Sequence, residues 1–370
     1  MERRIEAAVK KASAEAGRGS EHRSGGTLQS SRTDYMTILF GAWLLLGIFI
    51  DGYAHRHEVV ETFFTPWHAV LYGGFLTSAA WMTGLVVWNR RKYKLPWIDS
   101  VPRGYGMGLW GVGVFLCGGL FDMAWHTLFG IEKDTAALLS PAHLMLLVGA
   151  LLLLSSPYRS AFAREDGMQT GWRSFFPPFL SVALAAAAAG FFLIYAWMFH
   201  FNLPSRTSIE WMQNEYGLHL IAVNNEYRGL SYILINTMLF MIPLFLLMKR
   251  WILPVGAMTL YFGIITGLNS WLDGFRHFPV IVIALAAGAV GDVLYRALRP
   301  WEGRAWAYRI VAAAVPIVLW SLYFAWMHQS VGIGWETELW TGSIVQSALA
   351  SIAVSLLAVP PGRSDLAYEK

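Results

Sequence analysis

Apolar runs of about 20 residues recur along the chain between short polar segments, and a run of that length crosses a ~30 Å hydrocarbon core as a helix. Ten such runs can be drawn, at about 34–51, 66–88, 105–126, 141–157, 177–199, 229–248, 252–272, 278–296, 309–327 and 339–359. The pattern predicts an all-α polytopic membrane helix bundle of about ten transmembrane helices, built from helical hairpins. It also divides the chain into a basic arm (1–33), a four-helix unit of two similar hairpins (34–157), six further spans (158–359) and a short tail (360–370).

Charge gives the bundle a direction. Of the 28 Lys and Arg, all but Arg56, Lys133, Arg206, Arg228 and Arg276 fall in the terminal segments or the loops after spans 2, 4, 6 and 8. Positive charge accumulates on the cytoplasmic side of membrane proteins. Both termini are therefore expected in the cytoplasm, in a bacterial-type inner membrane, with the bilayer as the main partner. The basic pI of 9.1 is then a mark of topology and requires no nucleic-acid partner. Only 14% of residues are charged, against about 25% in soluble domains. The arm lacks the apolar core of a cleavable signal and reads as a disordered cytoplasmic segment. One cysteine, Cys117, excludes an intrachain disulfide and cysteine-rich metal sites.

Against this background the histidines stand out. Except for His22, all of them (His55, His57, His68, His126, His143, His200, His219, His277 and His328) map to the outer face. Two hairpins share one pattern. The first reads Asp51-x3-His55, then Glu58, then Thr65-Pro66-Trp67-His68; the second reads Asp122-x3-His126, then Glu132, then Ser140-Pro141-Ala142-His143. Spacing of four puts Asp and His on one helix face. A hydroxyl N-cap followed by Pro fixes where the returning helix starts, and so where its histidine points. Two imidazoles and a carboxylate brought together near a membrane satisfy one another best around a divalent cation. Asp51, His55, His68, Asp122, His126 and His143 are the expected metal ligands. The bland reading of each Asp–His pair, a capping hydrogen bond without metal, loses ground because the motif occurs twice.

A partial third copy, Asp273-Gly-Phe-Arg-His277, lacks the full ligand set. Asp273 and His277, with Glu58 and Glu132, are expected to stand behind the ligands as orienting, proton-relaying or structural groups. Trp67, Trp125, Trp197, Trp271, Trp326 and Trp335 fit an ordinary interfacial belt.

The stretch 51–68 resembles the metal-binding segment of the C subunit of particulate methane and ammonia monooxygenases. It has that family's Asp-x3-His-x12-His spacing in Asp51, His55 and His68, and its closing Phe-Thr-Pro-x-His in residues 64–68. Asp122, His126, Glu132, Pro141 and His143 are similar to the family's second segment, with Asp122 in place of Asn. The resemblance covers residues 34–157. It implies copper at one or both clusters, oxidation of a small apolar molecule with dioxygen, and an electron donor or other membrane subunits as partners. The six further spans depart from it. The same ligands are open to other readings: zinc with Glu58 or Glu132 activating water, as in a membrane hydrolase, iron, or histidines serving haem or quinone. A transporter fits less well, because ionisable groups are scarce midway through the spans.

Overall fold

The computed structural model describes residues 31–57, 65–129, 138–164, 171–216, 220–302 and 304–358. Helices make up 85% of it and it has no strands among the described residues. His22, Glu58, Glu132 and His219 lie outside these residues.

The helices are α1 (Ser31–Arg56), α2 (Pro66–Tyr93), α3 (Gly106–Phe129), α4 (Pro141–Leu154), α5 (Ser156–Phe162), α6 (Trp172–Phe192), α7 (Met198–Phe201), α8 (Arg206–Tyr216), α9 (Leu220–Met248), α10 (Ala257–Leu272), α11 (Pro279–Leu298), α12 (Ala305–Ser330) and α13 (Thr337–Ala358). Nine helical stretches among the described residues are long and apolar enough to cross a membrane, with α4 and α5 together forming one of them. The protein is thus an all-α, polytopic bundle. Hairpins α1–α2, α3–α4, α10–α11 and α12–α13 pack internally, and α6 runs through the middle against α1, α4, α5, α9 and α10. The central position of α6 accounts for its being the most buried span.

Two expected spans differ in form. The run 252–272 becomes α10, whose 16 residues reach about 24 Å, short of a ~30 Å core. Its start is fixed late because buried Asp292, on α11, accepts hydrogen bonds from Met258 N (3.1 Å), Thr259 N (3.0 Å) and Thr259 Oγ1 (2.7 Å). A carboxylate there satisfies the free N–H groups and complements the helix dipole. The α-helix of the run 177–199 ends at Phe192, tightens into a 3-10 turn at Ile194–Ala196 and breaks at extended Trp197. Buried Asn236 supplies substitute partners: its side-chain oxygen accepts from Met198 N and its amide donates to Ala196 O, each at 2.9 Å. Broken backbone inside a membrane bundle survives only where such partners exist.

The first two hairpins are structural copies. Residues of α3 sit 71 positions after their counterparts in α1, and residues of α4 sit 75 after those in α2. A Cβ placed on Gly74 would lie 2.6 Å from Leu44 N, and one on Gly149 would lie 2.6 Å from Phe115 N, the corresponding atom. Both glycines are therefore required by the same close crossing of backbones. Phe75 and Phe115 stack at 4.5 Å between the two hairpins.

Candidate metal centre

Each site is assembled at one end of a hairpin. Asp51 and His55 occupy the last turns of α1, and His68 the first turn of α2. Thr65 N-caps α2 in an extended conformation and accepts from His68 N, with Pro66 at the first helical position. Asp122 and His126 end α3, Ser140 caps α4 and accepts from His143 N, and Pro141 follows. The sequence-predicted capping is realised in both copies.

The structure brings together all six expected ligands, in two groups that could each hold a metal ion: Asp51, His55 and His68, and Asp122, His126 and His143. In the first, Asp51 carboxylate oxygens lie 3.6 Å from His55 Nε2 and 3.3 Å from His68 Nε2. In the second, Asp122 Oδ1 lies 3.4 Å from His126 Nε2 and 3.5 Å from His143 Nδ1. The paired imidazoles are tilted edge to face, with centroids 5.6 and 6.0 Å apart. These separations are long for direct hydrogen bonds. They match donors sharing one ion: N and O ligands about 2.1 Å from a tetrahedrally coordinated metal stand roughly 3.4 Å from each other. Asp122 Oδ1 is buried without a hydrogen bond of normal geometry, a costly arrangement that a bound cation would relieve. The residues fit a divalent ion.

Both groups line a single cavity of about 190 Å³. Its remaining wall is largely apolar, with Ile48, Leu71, Phe115, Leu146, Phe191 and Leu272 prominent. Tyr72 adds one hydroxyl, and its ring rests where a side chain on Gly119 would be, 3.2 Å from that position. Such a chamber, apolar with a few convergent polar groups, is the usual form of a small-molecule site.

The partial third copy does not form a third group of this kind. Asp273 is the C-cap residue of α10, and the helix ends before His277, so the Asp–His spacing no longer places both on one face. Asp273 binds His200 Nδ1 at 2.6 Å and Arg56 Nη2 at 2.8 Å. Arg56 Nη2 also lies 2.7 Å from His200 Nε2. His277 is turned to Asn202 at 3.4 Å, whose side-chain oxygen accepts from Tyr323. Burial, the largest influence, pushes His277 below the usual imidazole range; Asp273 opposes that shift, while His200 and Arg276 reinforce it. Arg56 itself lines the cavity, so Asp273 stands one residue behind the chamber. Sequence reasoning missed the Arg56–His200 pairing. The available hint was Arg56 itself, one of five Lys and Arg set apart from the other 23 in the sequence, directly after an expected ligand.

A scan against protein-family models, a search of curated proteins and a search of solved structures each find no match.

Proposed function

We propose that this is a membrane metalloenzyme that holds copper in the two Asp–His–His groups and oxidises a small, mostly apolar substrate with dioxygen, in the manner of the copper membrane monooxygenases its first hairpin resembles. The observation that carries the reading is the meeting of two three-donor groups, with the right donor spacing, in one apolar chamber. All-nitrogen-and-oxygen donors without thiolate suit copper, with zinc and iron as competitors for the same ligands. Bound copper would supply the electron transfer and dioxygen chemistry, with electrons drawn from an external donor.

The chain's own residues do the rest. Three protein donors per group leave coordination positions open toward the chamber. Thr65 Oγ1, 2.9 Å from His68 Nδ1, holds that ring so that Nε2 faces Asp51, the arrangement that orients metal-binding histidines. Phe115, Phe191 and the aliphatic walls shed water from the chamber and receive the apolar substrate. The Lys and Arg asymmetry supports an outer, periplasmic-type location for this end of the bundle.

The test is metal content of the full chain purified in detergent, by elemental mass spectrometry, beside His68→Ala and His143→Ala. Copper near one or two equivalents, lost stepwise in the variants, supports the reading. Zinc lost the same way moves the assignment to a hydrolase. A Soret band would point to haem. Wild type that holds no metal after reconstitution would sink the proposal.

A further inference from the structure

The cavity has one basic wall residue, and its placement is elaborate. Arg56 follows the ligand His55 directly, lines the chamber, and is held by two groups from the second half of the chain. His200 Nδ1 lies 2.6 Å from Asp273 Oδ2, and His200 Nε2 lies 2.7 Å from Arg56 Nη2. Arginine can only donate, so the short Arg56 contact requires His200 Nε2 to accept; the imidazole proton then resides on Nδ1 and is donated to Asp273. Asp273 and His200 thus grip the guanidinium through a single nitrogen, Nη2. Among the described residues, Nε and Nη1 make no hydrogen bond.

With both Nη2 protons engaged, Nε and Nη1 keep donors that can each give a single charge-assisted hydrogen bond to an anionic oxygen. Immobilising it beforehand removes part of the ordering cost of binding. The apolar lining, with Ile48, Leu71, Phe115 and Phe191, accommodates a hydrocarbon body of a few carbons. We propose that Arg56 is the carboxylate-binding end of the chamber, and that its ligand is a short-chain carboxylate whose apolar body lies toward the two Asp–His–His groups. Asp273 and His200 are positioning residues for Arg56. This refines the substrate class of the metalloenzyme reading and rests on that reading only for the chemistry; binding by Arg56 stands separately. It also gives the later helices a role at the site, since Asp273 ends α10 and His200 lies in α7.

The experiment titrates the full-length, metal-reconstituted protein in detergent with butyrate, and in parallel with butyramide and 1-butanol, followed by calorimetry and by thermal unfolding. Butyrate should bind about tenfold or more tightly than butyramide, the fold-change expected of a charge-assisted hydrogen bond. Arg56→Gln should abolish the preference, and Arg56→Lys should retain part of it. Metal content of each variant, measured alongside, shows that the fold and the ligand groups persist. Equal affinity for butyrate and butyramide in wild type would overturn the proposal. So would a preference that survives Arg56→Gln, because the carboxylate would then be held by the metal. If wild type binds no metal yet prefers butyrate through Arg56, the subsite stands and the metalloenzyme reading falls.

Discussion

The α1–α2 and α3–α4 hairpins are the same device used twice, and their differences are as informative as their agreement. Both cap the returning helix with a hydroxyl, both place Asp and His four apart, and both cross through a glycine backed against main chain. They part at the second histidine. His68 bonds Thr65 through Nδ1 and turns Nε2 to Asp51, so its two nitrogens have separate tasks. His143 brings Nδ1 both to Ser140, at 2.9 Å, and within 3.5 Å of Asp122, so one nitrogen serves cap and carboxylate together. They also differ in what surrounds them. The counterpart of Arg56 is Thr127, which bonds back to its own helix at Met123 O, and the counterpart of Tyr72 is Leu147. The first hairpin thus reaches the second half of the molecule through Arg56, whereas Thr127 and Leu147 make no such link at the corresponding places.

That contrast can be broken most severely at the ligands. Asp51→Ala and Asp122→Ala each remove the one carboxylate a group has among the described residues and should each cost one metal equivalent in elemental analysis. Loss of both ions from a single substitution would show that the groups form one unit. Next in size is packing. Gly74→Leu and Gly149→Leu force side chains into main chain, and each should lower stability by about 1–3 kcal/mol or more, read as a drop in thermal midpoint. Equal drops support equivalent crossings, and a drop at only one would end the claim of structural copies.

The caps sharpen the comparison further. Thr65→Ala should cost about 1 kcal/mol of stability as a lost N-cap and roughly 10- to 100-fold in metal affinity as a lost orienting bond. Ser140→Ala should cost similar stability but far less affinity, because freeing Nδ1 of His143 removes a competitor of the ligand. Competition with a chelator measures both, and equal affinity losses would refute the distinction. The smallest effect is at His277. Its pKa is depressed on folding, so the folded state binds fewer protons than the unfolded chain. Stability should therefore be full above the ordinary imidazole value of 6.5 and decline as pH falls through it. His277→Gln should flatten that slope in a pH series of thermal unfolding.

Nearly all spans could be read from the sequence because an apolar run of membrane length has few other uses. The exceptions have distant causes: α10 begins where Asp292 of α11 caps it, and α6 ends where Asn236 of α9 offers replacement bonds. Hydropathy along a segment contains neither fact. The six clustered residues were legible because the ligand spacing is local and occurs twice, so Asp122 could be read in the light of Asp51. Arg56 and His200 are 144 residues apart, and only folding shows them to be neighbours. Asp273 was expected behind the ligands; in the structure it pairs with Arg56 and His200, which no local pattern linked to it.

The interruption of α6 has one more consequence. Phe191, Phe192 and Ile194, the residues on either side of the break, all face the chamber. The 3-10 turn that follows leaves the axis of α6, and the Asn236 amide bonds it on both sides, at Ala196 O and Met198 N. The wall that Phe191, Phe192 and Ile194 give the chamber is thus anchored from α9, 38 and 40 positions along the chain from the atoms Asn236 holds.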